Sequence, residues 1–308
     1  MAENPSTGSG DNFRAGYVAI VGAPNVGKST LMNALVGQKI SIVTDKPQTT
    51  RHRILGILSE KEGQAIFLDT PGLLEPKYEL HRAMMSAVRS AVAESDILLL
   101  MVDATSQRAD ADTDERIMHL LQKRSKPVFL VINKIDRVTK RLVADSIVQW
   151  TKDVEFAEVF PISALNKTGT DELRSAIFAH LPKHPPYYPL DIVSEHPGRF
   201  FVGEMIREQI FELFRDEIPF STTVEIIEFR EQASRKDVVS AEIYVEKDSQ
   251  KGILIGKGGT ALKKVGEQAR KEIEHFLGRK VFLQLHVKVR EKWREDPLWV
   301  KRLGYSDR

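Results

Sequence analysis

Five short apolar runs punctuate the first half of the chain: "YVAIVG" (17–22), "AIFLD" (65–69), "ILLLMVD" (97–103), "PVFLVIN" (127–133) and "EVFPIS" (158–163). Segments with helical spacing of apolar positions separate most of them, at Ser29–Val36, Glu79–Glu94, Thr113–Lys123, Lys140–Trp150 and Asp171–His180. Unbroken apolar runs of this length read as strands buried on both faces. Joined by helical crossovers, they predict an α/β fold built on a doubly wound, mostly parallel sheet. Ile54–Leu58 and Gln64–Leu68 flank a turn near Gly63 and predict an antiparallel edge hairpin.

The pattern changes after "LPKHPPYYP" (181–189), whose prolines can continue neither a helix nor a central strand. A helix over about 198–216 is followed by strands "STTVEIIEF" (221–229) and "VVSAEIYVE" (238–246), a Gly cluster, a helix over 260–277 and a strand "VFLQLHVKV" (281–289). With a short helix before the Gly cluster, the order is α-β-β-α-α-β, an α+β domain. The expected organisation is a disordered lead (1–13), a first domain (14–181), a linker that permits rotation (182–196) and a second domain with a tail (197–308).

Composition adds three constraints. The 308 residues are 42% hydrophobic and 29% charged, enough for two globular cores. There is no cysteine, which excludes disulfides, thiolate metal sites and Cys nucleophiles, and fits a cytoplasmic protein. No apolar run reaches transmembrane length, and the polar start "MAENPSTGSGDNF" does not read as a signal peptide. The net charge of +2 hides an asymmetry: 15 Lys and Arg face 7 Asp and Glu between Lys251 and Arg308, and the rest of the chain is acidic. A basic end on an acidic body points to a polyanion partner there.

Four loops converge on one kind of ligand. "GAPNVGKS" (Gly22, Asn25, Val26, Gly27, Lys28, Ser29, with Thr30 next) follows a strand and opens a helix, the setting of a phosphate-binding loop. Lys28 is expected to reach the β- and γ-phosphates and Ser29 to bind Mg²⁺. In "DTPG" at a strand end, Asp69 is expected to hold Mg²⁺ through water, and the Gly72 N–H to sense a γ-phosphate. In "NKID", the Asp136 carboxylate matches the two donors on the guanine edge, while Asn133 and Lys134 brace the loop. In "SAL", Ser163 precedes Ala164, whose N–H suits the guanine carbonyl. Between the first two loops, "DKPQTTRHR" (45–53) supplies Thr50, with Thr49 in reserve, to complete the Mg²⁺ coordination. The implied ligands are GTP or GDP with Mg²⁺. Leu73 follows Gly72, so no side chain there orients water, and slow turnover is expected. Asn25 is a candidate ligand for K⁺ beside the phosphates.

The Gly cluster "IGKGG" (Ile255, Gly256, Lys257, Gly258, Gly259) precedes a helix carrying Lys263, Lys264 and Arg270. Small residues before a helix N-terminus let a single-stranded nucleic-acid backbone approach closely. Ile253 and Ile255 are candidates for a base-facing groove. Ala261, Leu262, Val265, Ala269, Ile273 and Phe276 recur at helical spacing and read as core. In the tail, stacking of Trp293, Trp299 and Tyr305 on bases is possible on composition, but packing onto the domain is the expectation.

Taken together, "GAPNVGKST", "QKISIVTDKPQTTRHRILGI", "DTPG", "NKID", "SAL" and "IGKGGTALKKVG" ahead of a final "LGY" make the chain resemble the Era-like family of bacterial ribosome-assembly GTPases over nearly its whole length. The resemblance implies a P-loop GTPase domain joined to a type II KH domain. It also implies binding near the 3′ end of small-subunit ribosomal RNA, a role in assembling the small ribosomal subunit, and peripheral contact with the inner membrane. A monomer is expected. Members of the family commonly lack a water-positioning Gln, so Leu73 is no departure. Two other readings stay open on the residues alone: an RNA tether in which nucleotide is structural, and a GTPase whose second domain binds protein.

Overall fold

Ile20 and Asp69 lie side by side at the ends of neighbouring parallel strands, and so do Asp103 and Asn133. The predicted loops therefore leave one edge of one sheet. The computed structural model that shows this describes residues 12–106, 116, 117, 121, 126–152, 154–232 and 235–305. The expected lead up to residue 11 and most of the expected helix Thr113–Lys123 lie outside the described residues. Two units form: one from the chain up to Gln38, Arg53–Leu73 and Val88–Glu195, the other from Lys39–His52, Leu74–Ala87 and the chain from His196 on.

The first unit contains β1 (Arg14–Val21), α1 (Lys28–Val36), β2 (Ile54–Glu60), β3 (Gly63–Asp69), the end of α2 (Glu79–Glu94), β4 (Ile97–Asp103), β5 (Val128–Asn133), α3 (Lys140–Thr151), β6 (Glu158–Pro161) and α4 (Thr170–His180). The strand order is β2-β3-β1-β4-β5-β6; only β2 runs antiparallel, against β3. This is the predicted doubly wound sheet with its edge hairpin. Val18–Val21, Leu98–Met101 and Phe129–Ile132 are buried, as strands covered by helices on both faces require. The chain leaves β1 toward β3 and then returns to β4 on the other side of β1, and sheets of this kind bind ligands at the carboxyl edge of such a reversal.

The Pro-rich segment differs from the free linker expected. It is fastened to the first unit as far as Ser194. Gln64, fully buried in β3, accepts from Tyr187 N (2.8 Å) and Tyr188 N (3.0 Å) and donates to Tyr188 O (2.9 Å). Ile57 N donates to Val193 O at 2.8 Å, and Ser194 Oγ donates to Leu55 O at 2.5 Å. Gln64, a polar side chain inside a strand that is apolar up to Asp69, thus supplies partners for the Tyr187 and Tyr188 backbone.

In the second unit, α5 (Gly198–Leu213) and α6 (Ile218–Ser221) precede β7 (Thr223–Arg230) and β8 (Asp237–Val245). Then come α7 (Asp248–Ile255), α8 (Thr260–Leu277), β9 (Val281–Val289) and α9 (Pro297–Arg302). The sheet order is β7-β8-β9, with β8 and β9 parallel, so the expected α-β-β-α-α-β order forms, including the short helix before the Gly cluster. Val265, Ala269 and Ile273 of α8 are completely buried, each worth about 1–3 kcal/mol of apolar burial. Ala261, Leu262 and Phe276, expected in the core, are not: they lie at the margins of the stripe, the first two half-buried and Phe276 37% exposed. The tail packs rather than offering stacking surfaces. Trp293 is fully buried and donates Nε1–H to Ser221 O at 2.8 Å, Tyr305 is buried, and the Arg290 and Arg302 guanidinium groups lie over the Trp299 ring. Among the described residues no helix is long and apolar enough to cross a membrane.

Candidate nucleotide site and nucleic-acid cleft

The loop after β1 wraps around its own lysine. Lys28 Nζ donates to Gly22 O (3.1 Å) and Ala23 O (2.8 Å). Burial lowers its pKa to about 8, against the pull of the Asp69 carboxylate. Gly27 is left-handed (φ 101°) at the N-terminus of α1, and a Cβ there would sit 2.3 Å from Asn133 Nδ2. Asn25 is also left-handed (φ 62°), and Thr30 is half-buried in the first helical turn. The turn therefore presents successive backbone N–H groups at a helix N-terminus, an anion-binding arrangement.

Ser29 Oγ donates to Asp69 Oδ2 at 2.7 Å. A hydroxyl and a carboxylate so close, beside an anion cradle, form a hard-oxygen donor set that fits Mg²⁺. Gly72 lies against the loop as well: a Cβ would fall 2.8 Å from Pro24 N and Cα. Leu73 N donates to Gly22 O at 3.1 Å, and its side chain is buried.

Asn133 ties three loops together. Its Nδ2 donates to Val26 O (2.8 Å), and its Oδ1 accepts from Ala164 N (2.9 Å). The N–H expected at the guanine carbonyl thus donates here to Asn133. Lys134, left-handed at φ 66°, donates to Asn25 O (2.8 Å) and pairs with Asp103 Oδ2 (2.6 Å). Asp136 is exposed on a single 3₁₀ turn, with its nearest cation, Arg137 Nε, at 4.0 Å. Ser163 is buried, and its Oγ accepts from Asn166 N at 3.2 Å. Among the expected site residues, contacts therefore join Ser29 to Asp69, Asn133 to Val26 and Ala164, and Lys134 to Asn25. Thr50 belongs to the second unit. No motif marks Asp103: it ends β4 beside Asn133, where parallel register brings it to Lys134. An Asn133→Ala variant loses both loop braces and leaves buried partners unsatisfied, at about 1–3 kcal/mol each. Its expected affinity for GDP is lower by about tenfold or more, read by titration with a fluorescent GDP analogue.

In the second unit, α7 ends at Gly256 (φ 74°), and Gly258 (φ 61°) and Gly259 (φ 80°) complete a left-handed turn into α8. A Cβ on Gly256 would press to 2.7 Å from Ala261 Cβ, whereas at Gly258 and Gly259 nothing lies within 4 Å. The first glycine closes the turn, and the other two leave its outer face open. Lys257, Lys263, Lys264 and Arg270 are exposed. A cleft of about 390 Å³ runs between α8 and β9, lined by Gly259, Leu262, Lys263, Gly266, Arg270 and Leu285 among others. Of the expected contacts, Gly259, Lys263 and Arg270 line it. Ile253 and Ile255 do not; Ile253 is exposed and Ile255 half-buried on α7. The apolar floor comes instead from Leu262, Leu283 and Leu285.

Segment Leu74–Ala87 joins this unit through His81. Its Nδ1 accepts from Lys77 N (3.4 Å), so its Nε2 carries the hydrogen toward Gln48 Oε1 (3.2 Å). Burial, then the Arg294, Arg51 and Lys77 charges, push its pKa down to about 4, while a backbone hydrogen bond with Glu75 opposes them. The folded pKa lies below the ordinary value, so the opened segment takes the proton first. The docked segment keeps its full advantage above about pH 6.5, loses it as pH falls toward 4, and changes no further below that. The protection factor of the Lys77 amide, measured rate set against intrinsic exchange at each pH, is expected to fall as pH drops through that window, and to stay level if His81 does not hold the segment.

Comparisons with known proteins agree with this geometry. A family described as 50S ribosome-binding GTPase matches residues 17–134, and the KH domain family matches residues 217–294. GTPase Era of Heliobacterium modesticaldum is 45% identical over 97% of this chain and 99% of its own length. A chloroplastic ERA-like GTPase of Arabidopsis thaliana is 47% identical over 99% of this chain and 71% of its own. Among solved structures, an Aquifex aeolicus Era variant bound to GDP and AlF4⁻ is 41% identical with a TM-score of 0.92, over 96% of this chain and 100% of that one. Era in complex with MgGDPNP and nucleotides 1506–1542 of 16S ribosomal RNA is 40% identical with a TM-score of 0.90, at the same coverage. Likeness of this extent, from the phosphate loop through the GKGG turn, makes the chain a member of the Era family of GTPases.

Proposed function

We propose that the protein is a GTP-hydrolysing switch that binds the 3′-end region of small-subunit ribosomal RNA and assists assembly of that subunit. In this reading residues 14–181 are the GTPase domain, 182–196 the linker, and 197–308 a type II KH domain with its tail. One observation carries it: a single chain holds nucleotide loops braced by Asn133 and an open GKGG turn whose last glycine meets a cleft lined by Lys263 and Arg270, with Glu267 beside them. The Era relative solved with both MgGDPNP and ribosomal RNA supports pairing those ligands.

Lys28 and the N-terminus of α1 take the β- and γ-phosphates, and Ser29, Asp69 and Thr50 are the residues that would hold Mg²⁺. When bound, that ion draws charge from the phosphate oxygens. The Gly72 N–H meets the γ-phosphate, and Asp136 accepts from guanine N1–H and N2–H₂. Lys257, Lys263, Lys264 and Arg270 take RNA phosphates, and Ile255, Gly256, Gly258 and Gly259 let the backbone approach. Leu73 is buried and brings no polar atom to the water, so unassisted turnover falls near the ~10⁻⁴–10⁻² s⁻¹ of unaided GTPases. The same observation favours the tether reading as second choice. Asn25 would lend its side-chain carbonyl to K⁺; equal turnover in K⁺ and Na⁺ removes that part.

The test is multiple-turnover GTP hydrolysis with and without RNA carrying the 3′ end of small-subunit ribosomal RNA. The switch reading expects RNA to speed hydrolysis. RNA that binds and leaves the rate flat favours the tether.

A further inference from the structure

Segment Lys39–His52, which carries Thr50, is fastened to α5 along most of its length. Lys39 Nζ lies 2.8 Å from Glu208 Oε2, and Val43 N donates to Glu208 Oε1 at 3.1 Å. Lys46 Nζ donates to the carbonyls of Phe211 and Phe214 at the end of the helix. Arg207 Nη2 then donates to Thr49 O at 2.5 Å. Beyond Thr50, Arg51 donates from Nη1 to Thr222 O (2.7 Å) and from Nη2 to Pro219 O (2.9 Å). Each arginine is 1% exposed, so a buried guanidinium stands on either side of Thr50.

Arg207 is itself aimed by Glu204, which accepts from both Nε and Nη2 on the same helix. A buried ion pair of this kind contributes little net stability, because desolvation offsets its attraction. What the fork does supply is direction. The Thr49 carbonyl and the Thr50 N–H belong to one planar, trans peptide and point opposite ways. Pinning the carbonyl therefore fixes where the Thr50 N–H faces.

We propose that Arg207, oriented by Glu204, is a positioning residue for Thr50, so that α5 of the unit bearing the GKGG cleft sets the geometry of the Mg²⁺- and γ-phosphate-sensing threonine. The inference rests on the reading of Thr50 given above. Arg51 acts as the second hold, downstream of the same residue.

The test combines steady-state hydrolysis, GDP affinity and thermal unfolding on the full chain. Glu204→Met with Arg207→Met replaces the ion pair by apolar groups of similar size, a change that buried pairs often tolerate. The expected result is a kcat lower by about tenfold, since small misplacements at a reacting centre cost up to ~10². GDP affinity is expected to stay within about twofold, because GDP lacks the γ-phosphate that Thr50 senses. In that background Thr50→Ala is expected to add much less than it does alone, as for residues acting in series. Should the double variant unfold early, Arg207→Lys keeps the charge, loses the fork and is expected to show the same kcat loss. The proposal is overturned if Thr50→Ala lowers kcat while the folded Arg207 variant does not, or if the two losses add in full. A Thr50→Ala variant with unchanged kcat overturns the reading of Thr50 itself, and the proposal with it.

Discussion

Lys28→Ala is expected to lower kcat for GTP hydrolysis by about 10²–10³, the usual effect of removing one preorganised donor to a developing negative charge. Lys28 has three N–H donors, and two are engaged within the loop by Gly22 O and Ala23 O. In the proposed complex the third would serve a phosphate oxygen, on an ammonium that burial has already stripped of water. Stripping makes the ammonium costly to keep charged, which is why its pKa falls to about 8; a phosphate beside it would reverse that cost. The alanine variant thus loses charge, donor and loop anchor together. Multiple-turnover kinetics with a GDP-affinity control would measure it. A variant within tenfold of the parent would mean that this lysine does not meet the γ-phosphate, and the structural-nucleotide reading would then stand.

The second large effect concerns the GKGG turn. Lys257→Asp with Gly258→Asp moves the turn by three charges and is expected to weaken binding of the 3′-end RNA by about 10²-fold, with a shallower salt dependence. Position 258 is left-handed, which aspartate tolerates at modest cost, and a Cβ there meets nothing within 4 Å. The buried face of α8 lies elsewhere, on Val265, Ala269 and Ile273, so the unit keeps its core. Loss of RNA binding without loss of folding, and with unchanged RNA-free turnover, separates ligand contact from scaffold. RNA affinity within threefold of the parent would instead assign the basic end to another partner.

Why some features were readable in the sequence and others were not follows from how local they are. Each strand of the larger sheet is an apolar run ended by a loop motif, and the antiparallel β2–β3 hairpin announces itself through its short turn. The GAPNVGKS, DTPG, NKID and SAL loops could be placed because each lies at the end of a strand, whereas nothing of that kind locates Thr50 in its long segment between α1 and β2. Asp103 was not legible either: its partner lies 31 residues away and arises from the β4–β5 register. Leu283 and Leu285 alternate along β9 as a half-buried strand should, but the alternation does not say that one face floors a cleft. Leu262 carried the opposite signal, core by spacing and cleft by position. Nothing in the local sequence marks Arg51, Glu204 and Arg207 as buried, since charged side chains are rarely buried without partners. Here the partners are carbonyls brought by other segments of the unit and, for Arg207, the Glu204 carboxylate one turn earlier on the same helix.

The fastening of the Pro-rich segment bears on where this protein can be divided. β2 is the outermost strand of its sheet, and Val193 and Ser194 occupy backbone positions of Ile57 and Leu55 that would otherwise face outward. Ala15 N, on β1, takes its acceptor from Pro182. A fragment ending at Leu181, where the sequence pattern changes, would carry a bare strand edge with unmet N–H and C=O groups, a template for pairing between molecules. One ending at Glu195 would carry its own cover. Self-association of the shorter fragment, and its relief by fourteen more residues that hold no part of the nucleotide site, would identify the segment as a guard against aggregation as much as a connection.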